Sequence, residues 1–152
     1  MNRYAELLEE VRGILGRENR AEDKMQGVAS LLHDNVEGFD CVAFFLLEPD
    51  HRRQLLLGPQ AGEGIDPGSL VVGQGICGQV AEHGISIVVD DVTEELNYVT
   101  GHPNTRSEMV LPIYRSGQVE AELDINSFRL ARFGSDDRMF LEEVCLLLTD
   151  QV

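Results

Sequence analysis

No run of apolar residues in this chain approaches the roughly 18 that a membrane-spanning helix requires. The first twenty residues, MNRYAELLEEVRGILGRENR, hold four acidic side chains and no continuous apolar stretch, so no signal peptide is expected there. Basic residues are also scarce: 12 against 27 acidic ones leave a formal charge of -15. Such a surface repels phosphate backbones and anionic headgroups, which argues against nucleic acid and membrane as partners. The three cysteines, Cys41, Cys77 and Cys145, are odd in number and widely spaced. They fit neither a secreted disulfide framework nor a CxxC metal site, so reduced thiols and a cytoplasmic address are expected. The four histidines, His33, His51, His83 and His102, are scattered without metal-ligand spacing, and no metal or other cofactor is expected. Repeats and low-complexity tracts are absent.

What remains is a chain of 152 residues, 43% of them apolar, enough to bury one substantial core as a single domain. Tyr4, Leu7, Leu8, Val11, Ile14 and Leu15 recur at helical spacing, with Gly16 as a stop. Met25, Val28, Leu31 and Leu32 mark a second helix within residues 1–35, although Gly27 interrupts it. Two short apolar runs, 41–47 and 54–57, flank the turn signal Pro49-Asp50 and read as an antiparallel hairpin. The stretch 58–68 is rich in Gly and Pro and reads as a loop. A short helix after VVGQGICG, the strand ISIVV and an irregular segment over 90–106 follow. The runs EMVLPIY and QVEAELDIN predict a hairpin turning at Arg115, Ser116 and Gly117, with Tyr114 paired to Gln118 and Glu108 opposite Asp124. A last helix over 135–151 is expected to have Ser135 as N-cap and Asp136 and Asp137 in its first turn.

Strands flanked by helices at both ends imply an α+β fold with one antiparallel sheet over 39–128. The terminal helices would cover one face, and loops with the short helix would roof a ligand pocket on the other. The stripe of the first helix needs a partner, either the last helix or its copy in a homodimer.

The segments LLLGPQAGEG, GQGICGQVAEHG, VVDDV, SEMVLPI and ELDINS, in that order, resemble the GAF family, and most closely the branch containing free methionine-(R)-sulfoxide reductases. The resemblance spans about Phe39 to Phe140. In that branch a nucleophilic cysteine precedes the glutamate of the Ser-Glu pair by seven residues, and a resolving cysteine precedes the GVCG-type cysteine by ten. Here those positions hold Gly101 and Pro67, and only Cys77 is retained. Reduction of a sulfoxide needs one thiolate to attack and a second thiol to release the oxidised enzyme, and neither replacement carries sulfur. The resemblance therefore implies a small-molecule sensor or regulatory domain in signalling, with an enzyme using altered cysteines as the alternative.

The resemblance also places Glu108 and Asp124 where the branch has ligand-facing carboxylates, puts Asn126 in place of a third, and adds Asp91 as a further contact. Such a pair suits a small polar ligand bearing an amine or other donors. The competing reading is a solvated strand face, because Glu120, Glu122, Asp124 and Asn126 alternate with Val119, Ala121, Leu123 and Ile125. Glu120 and Glu122 stand where the branch is apolar, which predicts a wetter pocket or a more cationic ligand. Cys77 itself reads either as a small packing residue or as a thiolate favoured by a helix N-terminus. Cys41 and Cys145 read as buried core thiols.

Overall fold

In the computed structural model, which describes residues 2–152, two helices come first, α1 (Arg3–Leu15) and α2 (Ala21–Asn35). The strands β1 (Cys41–Leu47), β2 (Gln54–Gly62) and β3 (Leu70–Val71) follow, then α3 (Gly75–His83) and β4 (Ile87–Val89). A 3₁₀ turn (Val92–Glu94), β5 (Ser107–Arg115), β6 (Gln118–Ser127) and α4 (Ser135–Leu147) complete the order. The strands form one sheet, β3-β2-β1-β6-β5-β4, in which every neighbouring pair is antiparallel. The expected α+β architecture with a single antiparallel sheet is therefore present.

Period-two alternation divides the interior into two cores. Val42, Phe44, Met109, Leu111, Ile113, Ala121, Leu123 and Ile125 point to the face covered by α1, α2 and α4. Cys41, Ala43, Phe45 and Val110 point the other way, where Ile76, Cys77 and Val80 of α3 meet Leu55, Ile65 and Leu70. In α1, Leu7, Val11 and Ile14 are buried within the chain. Tyr4 stacks on Phe140 of α4 with centroids 4.1 Å apart, and its hydroxyl donates to Asp137. Of the two partners expected for the α1 stripe, α4 of the same chain supplies this contact.

Four local expectations are corrected. The loop expected from residue 58 begins later, because β2 continues through Gly58 and Pro59 to Gly62. An added Cβ at Gly58 would lie 2.9 Å from Leu46 Cδ1 and 3.2 Å from the Phe44 carbonyl, so glycine here allows close strand approach rather than chain reversal. The N-cap of α4 is Gly134, not Ser135; its N–H donates to Asp137 Oδ2 at 2.8 Å, so the third helical residue satisfies the cap from inside. The β5–β6 turn has two residues instead of three: Ser116 (φ 51) and Gly117 (φ 78) are both left-handed, and Arg115 pairs with Gln118. That geometry matches the twist of the flanking strands.

The register of this hairpin then slips once. Tyr114 pairs with Val119 but Ile113 pairs with Ala121, leaving Glu120 as an extra residue in β6. Glu108 consequently lies opposite Asn126, and Val110 opposite Asp124. The difference from the expected pairing is two residues, so Glu108 and Asp124 still share a face. Without the bulge, parity would have put Glu108 among the apolar residues under the helices.

Candidate functional site

The face of β6 opposite the helices carries Glu122, Asp124 and Asn126 at alternate positions, and β5 adds Glu108 beside them. None is solvated: relative exposures are 0%, 3%, 0% and 4% in that order. The solvated-strand reading and the wetter pocket expected from Glu122 are thereby overturned. Glu120, the bulge residue, does reach the surface, where Arg52 holds it through two hydrogen bonds of 3.0 and 2.6 Å.

Cys77 is brought down onto this face by the glycines that precede and follow it. Gly75 begins α3 at φ 67, a conformation that disfavours other residues. A Cβ at Gly78 would lie 2.4 Å from the Val71 carbonyl oxygen, so only glycine lets the helix seat this close to β3. The Cys77 thiol then donates to Asp124 Oδ2 across 3.5 Å. Asn126 Nδ2 donates to Asp124 Oδ1 at 3.0 Å and to Glu108 Oε2 at 3.4 Å. The Asn126 carbonyl oxygen is fixed by the Thr105 hydroxyl at 2.9 Å. Glu122 has no such partner: neither of its buried oxygens makes a hydrogen bond among the described residues, and neither does the Tyr98 hydroxyl.

Burial dominates the electrostatics. It raises the Glu108 carboxyl well above the ordinary range, and the neighbouring Asp124 charge adds to the effect. Asp124 is raised as well, again by burial, against the lowering influence of the hydrogen bonds it accepts. Glu122 is raised by burial, with the nearby thiol of Cys77 working in the opposite direction. Burial and then the Asp124 charge push Cys77 well above the usual thiol range. Burial first, and then the surrounding carboxyls, act against the reading of Cys77 as a helix-stabilised thiolate. Cys41 and Cys145 are buried, as expected.

Between α3, the sheet and the loops lies a small, partly enclosed cavity with about 10 Å³ open to the centre of a water molecule, close to the space one water needs. Cys77, Glu108 and Asp124 line it, as do Pro67 and Gly101. The two positions that lack the branch cysteines therefore face the same small space as the retained one. One ligand atom each from Cys77, Glu108 and Asp124 lies within 4.8 Å of the others. The linear spacing of 31 and 16 residues hides this grouping, which the register of β5 and β6 and the seating of α3 create together.

Asp91 stands apart from the cluster. Its Oδ1 accepts from the Thr93 N–H at 3.0 Å and the Thr93 hydroxyl at 2.7 Å, capping the 3₁₀ turn, and these bonds hold its carboxyl below the ordinary range. His102 is also engaged locally: its Nδ1 accepts from the Asn104 N–H at 3.0 Å and its ring packs on Phe128. Glu122 is the residue that sequence reasoning left out of the site. Its position two before Asp124 on an alternating strand was the available signal.

Known proteins resemble this chain in sequence and, where solved, in fold. GAF domain-containing protein A of Dictyostelium discoideum is 28% identical over 145 residues, covering 95% of this chain and 89% of that protein. The free methionine-R-sulfoxide reductase of Escherichia coli is 27% identical over 141 residues, covering 93% and 83%. Among solved structures, the free methionine-R-sulfoxide reductase from Neisseria meningitidis in complex with its substrate superposes with a TM-score of 0.90 at 27% identity, covering 97% of this chain and 87% of that one. The family model for the GAF domain matches residues 21–150, a span that runs from α2 through α4 and contains every residue of the buried polar cluster. The chain belongs to the GAF domain family.

Proposed function

We propose that this chain is a non-catalytic sensor or regulatory domain whose inner sheet face recognises a small cationic or donor-rich polar molecule through Glu108, Asp124 and Asn126. The observation that carries the reading is a cluster of buried carboxyls with no cationic partner. Glu108, Glu122 and Asp124 are buried together, and among the described residues every ion pair lies elsewhere. Buried carboxyls in this state are costly, and a cation or a set of donors relieves that cost. Asp91, whose Oδ1 caps the 3₁₀ turn, stands outside this set.

The alternative, an enzyme of the free methionine-(R)-sulfoxide reductase type with altered cysteines, draws on the reductases among the relatives. Against it stand Gly101 and Pro67, which supply no sulfur at the cavity, and the burial and neighbouring carboxyls that disfavour a thiolate at Cys77. A thermal-shift screen against amines, amino acids, amino acid sulfoxides and divalent cations separates the readings. A ligand at about 100 times its dissociation constant adds about 2.7 kcal/mol of stability. The sensor reading expects binding without turnover, weakened by Glu108→Gln or Asp124→Asn. Consumption of methionine sulfoxide with a thiol reductant would replace it with the enzymatic one.

Homodimerisation through the terminal helices belongs to the same proposal. A groove of about 440 Å³ between α1 and α4, bordered by Tyr4, Leu8 and Met139, lies open beside the exposed Met139. Light scattering of the full chain and of Met139→Glu tests it: a dimer that the substitution dissociates is expected, and a monomeric full chain would remove this part.

A further inference from the structure

The sensor reading leaves open what kind of cation the buried carboxyls await, and three features narrow it. The first is size. The cavity beside Cys77, Glu108 and Asp124 has about 10 Å³ open to the centre of a water molecule. That is room for one atom-sized guest, whereas an amino acid or polyamine would have to displace the surrounding loops.

The second is the donor set. Cys77 Sγ and one oxygen each from Glu108 and Asp124 lie within 4.8 Å of one another. Around a tetrahedral zinc-like ion, bonds of about 2.3 Å to sulfur and about 2.1 Å to oxygen set the sulfur–oxygen edge near 3.6 Å. The Cys77–Asp124 edge is already 3.5 Å. Sulfur beside carboxylates disfavours magnesium and calcium, which take oxygen ligands, and suits the borderline-soft transition metals.

The third is independent of the trio. Glu122, fully buried, presents two oxygens without a hydrogen-bond partner on the same sheet face, two residues before Asp124. The Cys77 thiol beside it works against the effect of burial, and among the described residues no ion pair includes Glu122. Behind the trio, Asn126 donates to both Asp124 and Glu108 and is itself fixed by Thr105. This is the outer-shell support that orients metal-binding carboxylates.

We propose that Cys77, Glu108 and Asp124 bind one zinc-like divalent transition-metal ion, with Glu122 as the adjoining anionic group and Asn126 as a positioning residue. The inference rests on the sensor reading and names its ligand. Binding replaces the thiol proton of Cys77, so the S–H bond breaks, the sulfur–metal bond forms and the proton leaves to buffer. The strongly negative chain, at -15, favours arrival of a cation.

Cobalt(II) titration of the chelator-treated full chain tests this directly. One equivalent should bring up a thiolate-to-cobalt band in the near ultraviolet and the intense visible bands of a tetrahedral ion. Zinc should displace the cobalt and raise the melting temperature, while magnesium and calcium should do neither. Cys77→Ser should abolish the thiolate band, and Cys41→Ser and Cys145→Ser should keep it. Asp124→Asn provides a second variant if Cys77→Ser fails to fold, with the cobalt affinity expected to fall at least tenfold. Asn126→Ala should weaken binding by about 10 to 100-fold while the tetrahedral spectrum persists. A wild-type titration without the thiolate band, or a band that survives Cys77→Ser, overturns the inference. If an organic amine stabilises the protein while cobalt gives no band, the metal is wrong and the sensor reading stands; if neither binds, both fall.

Discussion

The thiol of Cys77, in the first turn of α3, donates to the carboxylate of Asp124 on β6 across 3.5 Å, joining residues 47 positions apart in the chain. A thiol that donates to a buried carboxylate is a poor nucleophile, because attack on sulfur requires the thiolate. Thiol-dependent turnover of free methionine-(R)-sulfoxide is therefore expected to be absent. Gly101→Cys should leave the fold intact, since the new Cβ would sit 3.4 Å from Ile65 Cβ without backbone strain. It should not restore cycling, because Pro67 still occupies the resolving position. A coupled reductase assay on the wild type, Gly101→Cys and the double variant with Pro67→Cys checks this. Wild-type turnover that disappears in Cys77→Ser would refute it.

Glu122→Leu should stabilise the ligand-free, metal-free protein by about 1–3 kcal/mol, measured by urea unfolding at neutral pH. The reason is the removal of a buried carboxyl whose oxygens have no partner. The sign with pH follows from the raised carboxyl of Glu122. Its folded form is tolerated below the ordinary glutamate value near 4.3 and loses stability as pH rises through the elevated one. The advantage of the substitution should therefore grow from about pH 4 upward. A flat difference across pH would show that Glu122 does not titrate differently on folding.

Tyr4 ties α1 to α4. Burial, followed by the hydrogen bond to Asp137, pushes its hydroxyl up to about 12. Because this lies above the unfolded value near 10, the contribution is complete below pH 10 and is lost as pH rises through 12. Tyr4→Phe should cost about 1 kcal/mol near neutrality, and across pH 9 to 11, the range that guanidinium unfolding can cover, the gap to wild type should shrink once pH passes about 10. A gap constant over that range would refute the assignment. Asp137 also holds Arg132 at 3.0 Å, so Asp137→Ala should cost more than Tyr4→Phe.

Two glycines make opposite predictions. A Cβ at Gly78 would lie 2.4 Å from the Val71 carbonyl, so Gly78→Ala should destabilise by about 2 kcal/mol or more and disturb the seat of Cys77. A Cβ at Gly13, within α1, meets nothing within 4 Å. Gly13→Ala should stabilise by about 0.5–1 kcal/mol. Melting temperatures of the two variants, measured side by side, decide both.

Much of this geometry was legible in the sequence. Alternation placed Met109, Leu111 and Ile113 under the helices and Glu108 and Asp124 on the other face, and both assignments hold. Helical periodicity found α1 and α2. The bulge at Glu120 was not legible, because an extra residue in a strand leaves no mark in an alternating pattern that continues on both sides of it. Gly58 and Pro59 looked like a loop because glycine for close approach and glycine for a turn are the same letter. The capping role of Asp91 was not legible, because a capping carboxylate and a binding carboxylate differ only in what surrounds them. Glu122 was read as a source of water, since its isolation depends on α3 and the loops closing over the strand, a non-local event.

The bearing strand of the site is β6, bonded along one edge to β1 and along the other to β5. Moving Asp124 or Asn126 would break two ladders at once, so the carboxylates are fixed in place before anything arrives. The segments 63–69 and 95–106, in contrast, contain neither helix nor strand. A rearrangement on occupancy is therefore expected in those segments, on the α3 side of the sheet and away from the terminal helices.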